Sequence, residues 1–208
     1  MTNIKLNKLS KEVINQIAAG EVIERPSSVV KELVDNSIDA GAEKITVKVK
    51  NGGIDMIEVS DDGIGIPKEN LGSIFEPHTT TKISNIEDLN TLLSMGFRGE
   101  ALSTITSVSR VRLNSKYEGE ERGNEILFDE NGQSDITTVA KEKGTTVRVE
   151  NIFYNIPARK KYLKTAATEY RKIYEMLCRY FLIYPNIAFT LEKDSKVVVN
   201  LKALGGSK

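Results

Sequence analysis

Two polar side chains in the segment 31–41, Glu32 and Asn36, could carry hydrolytic chemistry. If the segment is a helix, Glu32, Asn36 and Asp39 lie together in a narrow sector that borders an apolar stripe. The Glu32 carboxylate could take a proton from water, and the Asn36 amide oxygen could ligate Mg²⁺, a hard cation that prefers oxygen donors. The spacing therefore predicts a general base beside a metal ligand, although the same pair is also common on solvated helix surfaces.

The sequence DDGIG at 61–65 predicts a place for a flat ligand. It follows an alternating, strand-like run, and Gly63 and Gly65 would let the backbone approach a ring closely. The Asp61 carboxylate would be ready to accept a hydrogen bond from an exocyclic amine. On its own the pattern is a weak indicator, because turns are rich in Asp and Gly.

A third pattern, GFRGEAL at 96–102, places Arg98 between two glycines just before a helix-like stretch over 101–108. Backbone N–H groups at a helix N-terminus next to glycine form a ready site for an anion. Phosphate is the anion that this pattern predicts.

The helix that must carry Glu32 and Asn36 is predicted over 27–40, with Gly41 placed to end it. Lys31 and Asp35 fall on the side away from the apolar stripe and are expected to face solvent. The stripe, which is the expected core face, comprises Val29, Val30, Leu33, Val34, Ser37 and Ile38.

The remaining elements predict an α+β fold with a mainly antiparallel sheet and helices packed on one face. The segment 1–203 is expected to form one domain, and 204–208 to be a linker or chain end that leads to an absent second domain. Further helices are predicted near 10–20, 67–75, 86–93 and 168–184. Alternation predicts strands over 44–50, 54–60, 108–117, 123–129, 134–141, 144–151, 187–191 and 196–202, with a hairpin turn at 51–53.

Composition excludes several classes of function. The chain has 208 residues with 29 basic and 29 acidic side chains, which argues against a uniformly basic nucleic-acid binder. One cysteine allows no disulfide within the chain, and one histidine disfavours a zinc site built on histidines. No apolar run approaches the length of a membrane span and no signal-peptide pattern is present. A cytoplasmic protein without membrane contact is expected.

Taken together, the motifs resemble the GHKL ATPases, the superfamily of type II topoisomerases, heat-shock chaperones, histidine kinases and MutL proteins. Within it the chain is most similar to the MutL-type DNA mismatch repair family. The similarity rests on NQIAAGEVIERP at 15–26, GFRGEAL at 96–102 and FYNIPAR at 153–159, and it extends from about Leu9 to the end of the chain.

The resemblance implies roles for the helix and the glycine-rich turn. Glu32 would be the catalytic general base, and Asn36 would hold Mg²⁺ against the phosphates of ATP. Asp61 would receive the adenine amino group, which favours adenine over guanine. Gly63 and Gly65 would belong to the same nucleotide pocket, with Gly65 leaving room for the base.

The resemblance also implies a set of phosphate contacts. Thr80, Thr81 and Lys82 would meet the phosphates from a lid. Thr145 would support Asp61 through its hydroxyl, unless it is only a strand-forming residue, and Lys82 and Arg98 could instead be ordinary solvated cations. The backbone that would wrap the phosphates comprises Phe97, Arg98, Gly99, Glu100, Ala101 and Leu102.

A basic run lies near Tyr162 and Tyr170. Such a run is usually a solvated helix face, but in the family the nearby surface faces DNA, which implies weak, salt-sensitive binding without sequence preference. Its members are Arg159, Lys160, Lys161, Lys164, Arg171 and Lys172.

The function implied is ATP binding and slow Mg²⁺-dependent hydrolysis in a mismatch repair protein. Two ATP-bound chains would dimerise through their N-terminal regions as a clamp on DNA, with a mismatch-recognition protein as partner, in the cytoplasm or at chromosomal DNA. Turnover in this chain is expected to be weak or absent, because family members borrow a phosphate-contacting lysine from a following domain. The alternative is a nucleotide-binding interaction module of another GHKL class that does not turn ATP over.

Overall fold

The computed structural model describes residues 23–76 and 101–205. The helices predicted near 10–20 and 86–93 lie outside these ranges. The described helices are α1 (Pro26–Asp39), α2 (Lys68–Leu71), α3 (Ala101–Thr106), α4 (Pro157–Tyr162) and α5 (Ala166–Ile183). The strands are β1 (Lys44–Lys50), β2 (Met56–Asp61), β3 (Arg110–Lys116), β4 (Gly123–Asp129), β5 (Gly132–Gln133), β6 (Thr137–Val139), β7 (Gly144–Glu150), β8 (Ala188–Lys193) and β9 (Lys196–Leu201).

All nine described strands form one sheet. Their order is β5-β4-β3-β7-β2-β1-β8-β9, and β6 pairs with β4. Every pair is antiparallel except β1 with β8, which is parallel. The predicted fold class, a mainly antiparallel sheet with helices on one face, is confirmed.

The sheet has one apolar and one charged face, as alternation predicts. On the apolar face, buried side chains such as Val47, Ile57 and Val149 join the core with α1 and α5. On the other face, Lys48 lies 3.1 Å from Glu58, and Glu58 lies 3.6 Å from Arg148 on the next strand. Since these three residues are direct partners in the strand register, their charges compensate one another across the sheet.

The helix α1 follows from its sequence. Pro26 lies at its first turn, where the missing N–H costs nothing. Val29, Val30 and Val34 are fully buried, and Gly41 follows the helix with φ of +72°, a conformation that glycine adopts without strain.

The prediction that Asp35 faces solvent is wrong. Its side chain is buried because α5 packs along that side of α1, and the Tyr180 hydroxyl of α5 donates a hydrogen bond to it. Lys31 does face solvent over about half of its side chain, at 53% exposure. Periodicity within one helix shows which residues share a side, but not how many sides other helices cover.

Other segments also differ from expectation. The helix predicted over 67–75 is only Lys68–Leu71. The strand predicted over 134–141 is only Thr137–Val139, because the Ser134 hydroxyl accepts the Leu127 N–H and so replaces a rung of the strand ladder. The helix α4 was not predicted, although Pro157 stands at its first turn. Of the helices that the structure describes, none has the length and apolar character that a membrane crossing requires.

Candidate functional site

The Asp61 carboxylate accepts three hydrogen bonds from different parts of the fold. Its Oδ2 accepts a hydrogen bond from Ser37 Oγ at 2.8 Å, which ties the end of β2 to α1. Its Oδ1 accepts the backbone N–H groups of Gly63 at 3.0 Å and Thr145 at 3.1 Å. The carboxylate is thus held in one orientation by α1, by its own turn and by β7.

Burial raises the pKa of the Asp61 carboxyl, because a low-dielectric surrounding disfavours the charged form. The three hydrogen bonds and the charge of Lys141 act in the opposite direction but do not cancel burial. Burial in turn lowers the pKa of Lys141, although Asp61 and Glu58 oppose that shift. Asp61 and Lys141 therefore form a partly desolvated acceptor with a nearby cation.

The turn after Asp61 is fixed at three further points. The Ile64 N–H donates to the carbonyl of Ala40, at the end of α1, and the Ile64 carbonyl accepts the Glu118 N–H, each at 3.0 Å. The Ile66 N–H donates to Ser115 Oγ of β3 at 2.8 Å. The segment 61–66 is therefore a rigid bridge between α1 and β3.

Gly63 and Gly65 have packing roles within this bridge. A Cβ atom on Gly63 would lie 2.8 Å from the Ala40 carbonyl oxygen. On Gly65, which has φ of +78°, it would lie 2.1 Å from the carbonyl oxygen of Lys116. Close approach of protein backbone therefore requires both glycines, and the predicted space for a ligand base remains a prediction.

Thr145 supports Asp61, but through a different atom from the one expected. Its backbone N–H makes the contact, while its hydroxyl lies 3.0 Å from Ser115 Oγ. Ser115 in turn accepts the Ile66 N–H, so the Thr145 side chain acts on the turn through Ser115. Thr145 is buried within β7, which its β-branched side chain also favours.

Glu32 and Asn36 are both half-buried and lie one turn apart on α1, as expected. Ser37, the residue after Asn36, holds Asp61, so α1 brings the predicted base and metal ligand to the same region as the predicted adenine acceptor. The Asn36 carbonyl accepts the Ala40 N–H at 3.0 Å, as the end of α1 requires.

The structure covers only part of the predicted phosphate contacts. Ala101 and Leu102 lie at the start of α3, and Leu102 packs against the core. The other predicted contacts lie outside the described residues, namely Thr80, Thr81, Lys82, Phe97, Arg98, Gly99 and Glu100.

Sequence reasoning missed Ser37 and Ser115 as parts of the site. Ser37 was placed in the apolar stripe, where it is indeed buried at 3% exposure. A hydroxyl at a core position needs a partner, and that requirement was the available signal. Ser115 follows Val111 and Leu113 on the buried face of β3, so a hydroxyl at a core position was the available signal there too.

Asn36 is the predicted metal ligand among the described residues. Within residues 23–76 and 101–205, no three His, Cys, Asp or Glu side chains lie together as a metal cage. Asn36 supplies one hard oxygen, and Mg²⁺ is commonly held by one or two protein oxygens together with phosphates and water. The chemistry of Asn36 therefore fits Mg²⁺ bound along with a nucleotide.

Comparison with known proteins agrees with this geometry. A family model described as histidine kinase-, DNA gyrase B-, and HSP90-like ATPase matches residues 23–153, which include α1, the turn at 61–65 and β7. The chain belongs to this ATPase family.

Within the ATPase family the chain is similar to MutL, as its motifs predict. It is 48% identical to the DNA mismatch repair protein MutL of Clostridium tetani, over 97% of this chain and 32% of that protein. It is 44% identical to MutL of Thiobacillus denitrificans, over 96% of this chain and 33% of the relative. The chain thus spans about a third of the length of the curated relatives it matches.

Solved structures give the same result. The Aquifex aeolicus MutL ATPase domain complexed with ADP matches with a TM-score of 0.72 and 34% identity, over 88% of this chain and 66% of that one. The N-terminal domain of a DNA repair protein matches with a TM-score of 0.76 and 29% identity, over 92% of this chain and 57% of that one. The chain therefore has the fold and sequence of a MutL-type ATPase domain.

Proposed function

We propose that this chain binds ATP together with Mg²⁺ and hydrolyses it slowly, as the ATPase part of a DNA mismatch repair protein. The observation that carries the proposal is the Asp61 carboxylate, held by three hydrogen bonds beside the helix that bears Glu32 and Asn36. The similarity to a MutL ATPase domain that binds ADP supports the nucleotide as ligand.

Asp61 selects the base in this proposal. A carboxylate accepts the hydrogen bond of the adenine 6-amino group, whereas guanine presents a carbonyl oxygen at the same position. The guanine carbonyl would face a partly buried carboxylate with no proton between them, at a cost of about 1–3 kcal/mol or more. ATP is therefore preferred over GTP.

In this proposal Asn36 is the metal ligand and Glu32 is the general base. Asn36 contributes an oxygen to Mg²⁺, which neutralises phosphate charge when bound. Glu32, one turn earlier on α1 and still 29% exposed, is accessible to water and takes its proton as that water attacks the terminal phosphate. The base and the metal ligand are spaced by the helix itself.

Dimerisation and DNA binding belong to the same proposal. ATP-bound chains pair through the N-terminal region as a clamp, and a mismatch-recognition protein recruits them to chromosomal DNA in the cytoplasm or nucleoid. The exposed α4 supports a DNA contact, since Lys160 and Lys161 are exposed and the Tyr162 ring is 84% exposed. Binding is weak, independent of sequence and weakened by salt.

Calorimetry with ATP, GTP and Mg²⁺ tests the base assignment. Wild-type protein is expected to bind ATP at least about 10-fold more tightly than GTP, and Asp61→Asn to lose most of that preference. Asp62→Asn is the matched control, because Asp62 accepts only the backbone N–H groups of Glu43 and Lys44 in the described structure. Equal affinity of the wild type for ATP and GTP would exclude Asp61 from the adenine pocket.

Single-turnover phosphate release tests the general base. Glu32→Gln is expected to bind ATP normally and to release phosphate about 10²–10⁴-fold more slowly, the usual loss for a positioned base. Glu43→Gln, an exposed glutamate outside the site, is the control. If the wild type binds ATP but releases no phosphate, the alternative function applies, and the chain is a nucleotide-binding interaction module.

A further inference from the structure

A chain of polar contacts links α5 to the predicted general base. The Tyr180 hydroxyl donates to Asp35 Oδ1 at 2.5 Å, and Lys31 Nζ donates to Asp35 Oδ2 at 2.7 Å. The same Lys31 Nζ lies 3.9 Å from Glu32 Oε1. Lys31 is therefore shared between a buried carboxylate and the carboxylate proposed to activate water.

The burial of Asp35 distinguishes its contact with Lys31 from an ordinary surface ion pair. Asp35 is 3% exposed and Tyr180 is 8% exposed, and each oxygen of Asp35 has one of the two donors. A buried carboxylate that loses a donor is costly, so Asp35 holds the flexible Lys31 stem in one place. The pair Arg171–Glu175 on α5 has the same spacing but is exposed on both sides, and such a pair has little positional constraint.

Lys31 stays charged in this arrangement. Burial works against its ammonium form, but the hydrogen bond and charge of Asp35, with the charge of Glu32, outweigh burial and raise the pKa of Lys31. A permanent positive charge therefore lies beside the Glu32 carboxylate.

We propose that Lys31 is a positioning residue for ATP hydrolysis: held by Asp35 and Tyr180, its ammonium keeps the Glu32 carboxylate oriented toward water. This inference rests on the proposed function, because it gives Lys31 a role only through Glu32. It makes α5, which carries no residue of the nucleotide site, part of the support for catalysis.

The test compares nucleotide affinity with single-turnover hydrolysis in Lys31 variants. Lys31→Met is expected to bind ATP as the wild type does and to hydrolyse it on the order of 10- to 100-fold more slowly, since a misplaced catalytic group loses rate without losing binding. Lys31→Arg, which keeps the charge and the donor to Asp35, is expected to restore most of the rate. Tyr180→Phe is expected to give a smaller loss than Lys31→Met.

Two further variants separate catalysis from folding. Lys31→Gln keeps an N–H donor for Asp35 but has no charge, so it is expected to fold as the wild type does and still to hydrolyse slowly. Lys48→Met removes a lysine that pairs with Glu58 on the charged face of the sheet, and it is expected to hydrolyse ATP at the wild-type rate. Thermal unfolding by circular dichroism shows whether each variant is folded.

The outcomes distinguish this inference from the proposed function. Wild-type rates in Lys31→Met and Lys31→Gln, with Glu32→Gln inactive, would overturn the role of Lys31 and leave Glu32 as the base. A loss of ATP affinity that matches the loss of rate would also overturn it, because Lys31 would then support binding. Wild-type hydrolysis by Glu32→Gln would overturn both.

Discussion

At the scale of single residues, the site depends on a carboxylate that is costly to bury. Asp61 has donors from Ser37, Gly63 and Thr145, yet burial still raises its pKa. The Asp61 anion is therefore costly to keep in this surrounding, and a further donor such as the amine of the proposed ligand would stabilise it.

The raised pKa of Asp61 predicts how its replacement alters stability with pH. The folded protein binds the Asp61 proton more tightly than the unfolded chain does, so the contribution of Asp61 to stability falls as pH rises above its ordinary pKa of 3.8. Asp61→Asn cannot titrate, and Ser37 Oγ can turn to its second acceptor, the Leu33 carbonyl at 3.1 Å.

We therefore expect Asp61→Asn to gain stability relative to the wild type between about pH 4 and about pH 7. Urea denaturation at both pH values measures the difference in the free energy of unfolding between the two proteins. As a control, the slope of the unfolding free energy against urea concentration should be the same for both proteins, which shows that they unfold to the same state. A difference that stays constant with pH would contradict the prediction.

The types and spacing of residues predicted Glu32, Asn36 and Asp61 as one group, and the fold does bring α1 and the end of β2 together through Ser37. They could not predict that Thr145 would act through its backbone N–H. That contact depends on how β7 pairs with β2, a relation between distant segments that no local pattern contains.

At the scale of elements, periodicity predicts helices and strands such as α1 and β7, but it does not predict which elements pack against each other. The predicted helix over 27–40 is Pro26–Asp39, and the strand over 144–151 is Gly144–Glu150. The burial of Asp35 was missed because it depends on α5, an element far along the chain. Local sequence therefore specified α1 and β7, whereas the burial of Asp35 on α1 depends on contact with α5.

The turn at 61–66 follows β2, and its conformation predicts the effect of replacing Gly65. Gly65→Ala is expected to cost about 2–4 kcal/mol of folding free energy, because φ is +78° and the new Cβ would meet the Lys116 carbonyl. It should also weaken ATP binding, since the displaced turn carries Asp61. Calorimetry and urea denaturation measure the two effects.

Gly72→Ala is the matched control for this prediction. Gly72 has φ of −62° and open space where the Cβ would lie. Its replacement by alanine is expected to leave ATP binding unchanged and to alter stability by less than about 1 kcal/mol, in the stabilising direction. Similar losses at both positions would contradict the packing role of Gly65.

At the scale of the whole molecule, one end of the sheet is apolar and exposed. Among the described strands, β9 pairs only with β8, and its Val197 is 60% exposed. An exposed apolar strand at a sheet edge is a template for pairing with another chain.

We therefore expect concentrated solutions of this chain to self-associate, and Val197→Lys to reduce that association, because a charge at a strand edge disfavours strand addition. Light scattering over a concentration series measures it. Leu182→Lys is the control. Leu182 is 82% exposed on α5, so this substitution adds the same charge away from the strand edge. Equal reduction by both variants would show that net charge, and not the edge, is responsible.

The parallel pairing of β1 with β8 has a consequence for synthesis on the ribosome. Strand β1 can pair with β2 as soon as both have been synthesised. The other edge of β1 stays unpaired until α5 and β8, near the end of the described chain, have emerged. Until then α1 also lacks Tyr180, the partner of its buried Asp35. A nascent chain therefore carries an unfinished sheet and an unsupported Lys31 until α5 and β8 have emerged.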